Sequence, residues 1–184
     1  MVLTPTKQIP LGFMAPEFNL INPLTGESES LTELKSNKAT MIVFMCNHCP
    51  YVVHILDGLV QLANDYLPKG ASIISINSND IINYPDDSPE KMVDLIHRNN
   101  IPFPYLFDET QEVAKAYNAA CTPDFSIFND KMECVYRGQM DNSRPGSDEP
   151  VTGRDIRKAL NSILLDEELN MTQIPSVGCN IKWK

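Results

Sequence analysis

The chain has 184 residues, 42% of them hydrophobic, which suits a single domain (1–184) with one substantial core. Its 24 acidic against 15 basic side chains give a formal charge of −9 at pH 7, a balance that repels nucleic-acid phosphates and anionic lipid and serves solubility. No segment approaches the roughly 18 to 20 apolar residues that span a bilayer, and the start carries no basic leader; a soluble, cytoplasmic protein with neither nucleic acid nor membrane as partner is expected.

In APEFNLINPLTGESESL (15–31), Pro23 and Gly26 punctuate two short extended segments, which predicts an N-terminal β-hairpin. ATMIVFM (39–45) is a continuous apolar run, the pattern of a strand buried on both faces at the centre of a parallel sheet. From Pro50 to Tyr66 the apolar residues Val53, Leu56, Leu59, Val60 and Ala63 recur at helical spacing, and LPKG (67–70) ends that helix. ASIISIN (71–77) is a second buried strand. DSPEKMVDLIHRNN (87–100) is a helix with Ser88 as its cap and Pro89 at its first position. PYLFD (104–108) is a third strand and TQEVAKAYNA (110–119) a short helix. DFSIFND and KMECVYRG are antiparallel strands joined by a tight Asn-Asp turn. A closing helix spans 152–169 with Thr152 as cap, and the tail at about 170–184 has no regular period. Alternating strands and helices, then a hairpin and a last helix, make an α/β fold: a central mixed sheet with helices on both faces.

The reactive side chains sit where the first core strand gives way to a helix, in MIVFMCNHCPYVVHIL (41–56). The five cysteines are Cys46, Cys49, Cys121, Cys134 and Cys179, an odd count that argues against a disulfide scaffold. Thiol–disulfide exchange needs an accessible thiolate and a second thiol close enough to resolve the mixed disulfide. A cysteine at a helix start meets unpaired backbone N–H groups and the positive end of the helix dipole, and both steady the anion. A free thiol of pKa about 8.5 is only a few per cent ionised at pH 7, whereas one of about 6 is roughly 90% ionised. Cys46, first in the loop and expected to be exposed, is the attacking thiol; Cys49, one turn in, is the buried resolving partner. His48 between them offers Cys46 a positive or hydrogen-bonding partner, and Asn47 is either a tuning or a turn residue. Tyr51 and His54 either flank the site or pack, and His97 faces solvent.

Several motifs carry a resemblance. CNHC follows the first core strand, APEFNL is followed by TGE, and TPDF opens the hairpin. With CNHCPYVVH, ACTPDF, YRGQMDNSRPG and GCNIKWK, the chain resembles the thioredoxin-like superfamily in its redoxin branch, that of alkyl hydroperoxide reductase and thiol-specific antioxidant, over about residues 10–168. It is most similar to a peroxiredoxin-like group within that branch. The resemblance implies a thioredoxin-like fold, a redox-active Cys46–Cys49 pair and a cis Pro123, with Thr122 and Pro123 positioning an extended substrate. Peroxiredoxins carry PxxxTxxC around their peroxide-reducing cysteine. Here the Thr and Pro positions are Val43 and Ala39 counted from Cys46, or Cys46 and Ile42 counted from Cys49. The hydroxyl that would orient a peroxide is missing in either register.

Two further thiols are candidates. Cys121, two residues before Pro123, either faces Cys46 as an alternative disulfide partner or pocket wall or is a passive buried thiol, and Cys179, in the mobile-looking tail, either reaches the centre as an additional resolving thiol, pairs with another chain or stays passive. Cys134 belongs to the core. Arg137 and Arg144 either steer an anionic partner or form solvated ion pairs with Asp141, and Trp183 packs the tail on the body. The leading expectation is a thiol–disulfide oxidoreductase acting on protein or small-molecule thiols, with no cofactor. A thiol peroxidase is the second reading. The third is a metal-binding module in which Cys46 and Cys49 with His48 or His54 hold zinc or cuprous copper. No GxSxG, HExxH or GxxxxGK supports a hydrolase or phosphate site.

Overall fold

The structure, a computed structural model, describes residues 3–184. Strand β1 (Leu3–Pro5) precedes the expected hairpin of β2 (Asn19–Ile21) and β3 (Ser28–Ser30), whose turn places Gly26 at φ 74. Helix α1 (Leu31–Leu34) is a single turn held by a capping box between Ser30 and Glu33. Every residue of β4 (Ala39–Phe44) is buried, as its unbroken apolar run predicts.

Helix α2 (Pro50–Tyr66) has the expected bounds, and Gly70 at φ 90 terminates the short turn that follows it. Its buried stripe is Val52, Ile55, Leu56, Leu59, Leu62, Ala63 and Tyr66; Val53, expected inward, is exposed. Next come β5 (Ala71–Asn77), α3 (Pro89–Asn99) with Ser88 as its cap, β6 (Tyr105–Phe107) and α4 (Glu112–Ala116). The chain then forms β7 (Cys121–Thr122), β8 (Asp124–Phe128), β9 (Cys134–Gly138), α5 (Arg154–Leu164) and β10 (Val177–Asn180).

The main sheet runs β3-β2-β6-β5-β4-β8-β9. At its centre β4 pairs parallel with β5 and antiparallel with β8, so the sheet is mixed, as expected. The period of two along β4 sends Met41 and Val43 into one cluster, with α2, α3 and α5, and Ile42 and Phe44 into another, with Leu31 of α1 and Ala114 of α4. Helices therefore cover both faces, and no helix among the described residues is long and apolar enough to cross a membrane.

Three expectations are corrected. The hairpin turn is wider than Asn-Asp: Asn129 Oδ1 accepts from the N–H groups of Lys131 and Glu133, and Met132 takes φ 61. Helix α5 is capped by Gly153 at φ 67, not by Thr152, because the buried Asp141 carboxylate accepts the Thr152 and Gly153 N–H groups at 2.7 Å each; the helix also stops at Leu164. The tail is ordered by pairing: β10 lies between β1 and β7 in a second, three-stranded sheet.

Candidate active site

Strand β4 delivers the CNHC loop and α2 ends it. Cys49 is the N-cap, extended at φ −67 and ψ 122, and its carbonyl accepts the Val52 and Val53 N–H groups at 3.0 Å. Pro50 follows at the first helical position, where no N–H is needed. Opposite the loop, Thr122 and Pro123 are joined by a cis peptide, as the resemblance implied.

Thr122 touches both cysteines: its Oγ1 is 3.5 Å from Cys46 Sγ, and its carbonyl accepts from Cys49 Sγ at 3.1 Å. A third sulfur joins them, Cys179 Sγ on β10, 2.9 Å from Cys49 Sγ. Cys46, Cys49, Cys121 and Cys134 are thiols, not disulfide-bonded. The expectation of an exposed Cys46 is corrected: Cys46 is 1% and Cys49 0% exposed, since β10 lies along β7 beside them.

The surroundings of the two sulfurs act on their charge in opposite directions. A hydrogen bond from the Cys46 thiol, helped by Cys179, Thr122 and the Val52 N–H, outweighs burial and pulls Cys49 well below the ordinary thiol range. Cys46 is pushed the other way, because its proton is committed to Cys49, because it is buried, and because the Asp87 carboxylate faces it. Burial, and then the contact with Cys49, push Cys179 up as well. Among the three thiols, the hydrogen bonds favour the anion on Cys49 over Cys46 and Cys179.

His48 does not hydrogen-bond Cys46. Its Nδ1 lies 2.7 Å from Asp87 Oδ2, and its ring stacks on Tyr84 at 5.7 Å and 6°. The bond to Asp87 raises the imidazole above its ordinary pKa. Asp87, on the turn before α3, is the functional residue the sequence reading missed. Burial works against its charge, yet hydrogen bonds from His48, Asn79 Nδ2 (2.8 Å) and the Asn47 N–H (2.8 Å) hold its carboxyl below the usual range. No periodicity links a carboxylate to a loop 40 residues away; the one signal is an Asp pair ahead of a helix cap.

Asn47 is a staple. Besides its N–H, its Nδ2 donates to the Asp86 carbonyl at 2.9 Å and its Oδ1 accepts the Tyr105 hydroxyl at 3.0 Å. Tyr105→Phe is expected to cost about 1 kcal/mol in urea unfolding while leaving the redox couple in place.

The remaining candidates fall outside the centre. Of the two readings of Cys121, the geometry fits the buried thiol and not the one facing Cys46: its sulfur lies 3.8 Å from Thr6 Oγ1 and 3.6 Å from the Pro123 carbonyl, because residues of β7 alternate sides, and burial raises its pKa. Cys134 is core, as expected. Tyr51 and His54 line a cleft beside Pro123, with His54 Nε2 2.7 Å from Ser143 Oγ, and His97 is exposed. Neither arginine pairs with the Asp141 carboxylate in solvent. Arg137 is buried 3.4 Å from Asp124, bonded to Ser126 Oγ and the Lys7 and Asn118 carbonyls; Arg144 donates to the Asp141 and Ser143 carbonyls. Trp183 is 42% exposed, so the tail is held by neighbours instead: Ile181 is buried, and the Lys182 carbonyl accepts from Asp80 N–H and Gln111 Nε2 at 2.8 Å each.

Known proteins are similar to this chain to different degrees. An uncharacterized conserved protein from Geobacillus kaustophilus superposes with a TM-score of 0.98 at 54% identity, covering 100% of this chain and 97% of its own. A hypothetical protein from Sinorhizobium meliloti gives 0.96 at 41% identity, over 98% of each chain. The thioredoxin domain of a thiol-disulfide oxidoreductase from Bacteroides vulgatus shares the fold, with a TM-score of 0.64 at 18% identity over 84% of this chain and 100% of that one. The thiol-disulfide oxidoreductase ResA of Halalkalibacterium halodurans is 28% identical over 116 residues, 63% of this chain; the chain spans 61% of that relative's length. Residues 11–137, well over half of the sequence, match the AhpC/TSA family, and the chain belongs to that family on a thioredoxin-like fold.

Proposed function

We propose that the chain is a thiol–disulfide oxidoreductase, cycling Cys46 and Cys49 between dithiol and disulfide against protein or small-molecule thiols. The observation that carries this reading is the double contact of Thr122, hydroxyl to Cys46 and carbonyl to Cys49. It suits both positions of a proton shared by the pair. With the anion on Cys49, the Cys46 S–H donates to it. When the proton crosses, the Cys49 S–H donates to the Thr122 carbonyl and the Thr122 hydroxyl donates to the Cys46 thiolate. Cys46 then attacks a partner disulfide, expelling one partner thiolate, and Cys49 resolves the mixed disulfide, expelling the second. One partner disulfide is reduced to two thiols as one disulfide forms on the chain.

The stabilised thiolate makes the disulfide more oxidising than a centre with Gly-Pro between its cysteines. In glutathione buffers, the bond within residues 39–69, which hold both cysteines, is expected to form in a two-electron transition of about 30 mV per tenfold change in ratio. No such bond at any potential would end the proposal. Against the peroxidase reading, the chain lacks the Thr of PxxxTxxC, and a stopped-flow rate with hydrogen peroxide no better than that of free cysteine is expected. The metal reading meets a donor set already in use. Cys46, His48 and Asp87 offer atoms within 4.8 Å of one another, but both Asp87 oxygens accept hydrogen bonds from Asn47, His48 and Asn79.

A further inference from the structure

Strand β10 occupies the edge at which a partner strand would dock beside Thr122 and Pro123. It pairs antiparallel, Cys179 against Thr122 and Asn180 against Cys121. Both ends are pinned: Ser176 Oγ donates to the Pro123 carbonyl at 2.7 Å, and the Lys182 N–H donates to Asn79 Oδ1 at 2.8 Å. On its other edge Leu3 pairs with Cys179. Gly178 makes the approach possible, since a Cβ there would lie 1.9 Å from the Thr122 carbonyl oxygen, so any side chain pushes the strand away. The strand thus presents Cys179 as a substrate cysteine would be presented, 2.9 Å from Cys49 Sγ against about 2.05 Å in a covalent disulfide.

We propose that Cys179 is a third redox-active thiol, carried by a tethered strand that stands in for a partner and takes over the disulfide from Cys46. The proposal rests on the Cys46–Cys49 couple of the preceding reading. Starting from that disulfide, Cys179 loses its proton and attacks Cys49 Sγ. The Cys46–Cys49 bond breaks, the Cys49–Cys179 bond forms, and Cys46 leaves with the electron pair and takes up a proton. No electrons enter or leave, so the relay needs no oxidant beyond the partner disulfide that first oxidised the pair. Because β10 is already ordered at the site, the exchange is intramolecular and its entropic cost is met by folding.

The test uses the full chain. Reduced protein is equilibrated with glutathione buffers of graded potential, acid-quenched, alkylated and digested with trypsin. Cys46 and Cys49 share the peptide 39–69, whereas Cys179 lies in 159–182, so a cross-link between the two peptides reports the relay. The expected result is that cross-link in wild type alongside the bond internal to 39–69, and the cross-link alone in Cys46→Ser. In Gly178→Ala, which keeps all three cysteines but pushes the strand and Cys179 away from Thr122, the cross-link is expected to fall about tenfold while the internal bond persists. Alkylated Cys179 at every potential where 39–69 is oxidised overturns the relay but leaves the Cys46–Cys49 couple standing. If 39–69 is never oxidised, both proposals fall.

Discussion

Replacing Cys49 by serine is expected to abolish every disulfide at the centre and to slow exchange with a partner by at least about a thousandfold, the order lost when an adjacent resolving thiol gives way to one from solution. The expectation follows from geometry. Cys49 alone contacts both other sulfurs of the trio and carries the low-pKa position, while Cys46 and Cys179 are both pushed above the ordinary thiol value. Ultraviolet titration of the thiolate should therefore show one group ionising well below about 8.5 in wild type and none in Cys49→Ser. Cys46→Ser should behave differently, losing turnover yet still forming the Cys49–Cys179 bond. A conventional CxxC centre, in which the first cysteine carries the anion, would lose the low-pKa group in Cys46→Ser instead, and that result would reverse the assignment.

The second large effect is expected at Asp87. Asp87→Ala leaves the His48 ring, the Asn47 and His48 N–H groups and Asn79 without their acceptor, and breaking such a buried set costs about 3 kcal/mol. For a chain of this size that lowers the melting temperature by roughly 6 to 12 °C. The pH dependence has a defined sign. The Asp87 pKa is depressed below 3.8, so its contribution is fully present above that value and is lost as pH falls through the folded pKa. The His48 pKa is raised above 6.5, so its contribution is fully present below that value and is lost as pH rises through the folded pKa. The wild type should thus exceed Asp87→Ala by most near pH 5 to 6, roughly the middle of that window, and by less near about pH 9, where only the uncharged imidazole remains. Equal differences at both values in urea unfolding would show that the ion pair contributes nothing beyond its hydrogen bonds.

Both effects depend on groups whose importance the sequence reveals unequally. The CNHC pair was legible because a both-faces-buried strand and an amphipathic helix meet there, and a helix start always offers unpaired N–H groups to a sulfur. That Cys46 would be covered was not legible, because what covers it is backbone from the far end of the chain. Asp87 was invisible for a similar reason: two of its partners are main-chain N–H groups that any residue would present, and its side-chain partners, the His48 ring and the Asn79 amide, meet it only through the fold. The burial of Arg137 depends on Asp124 and on two carbonyls from the N-terminal segment and the residues after α4, so a charged residue in an apparently solvated motif became an internal strut.

The sequence by itself determined the central layers: β4, α2, β5, α3 and the β8–β9 pair, with the redox candidates at the β4–α2 seam. Those elements announce themselves because burial of side chains imposes a period of two or 3.6 on the residues that carry it. Only the tertiary structure decided the second sheet, in which β1, β7 and β10 are two to four residues long and have no period to read. Such strands exist because their main-chain groups find partners across the fold, and main-chain hydrogen bonding leaves almost no mark on side-chain choice. The one mark here is Gly178, where the strand passes too close to Thr122 for a Cβ, and that close passage is what brings Cys179 to Cys49.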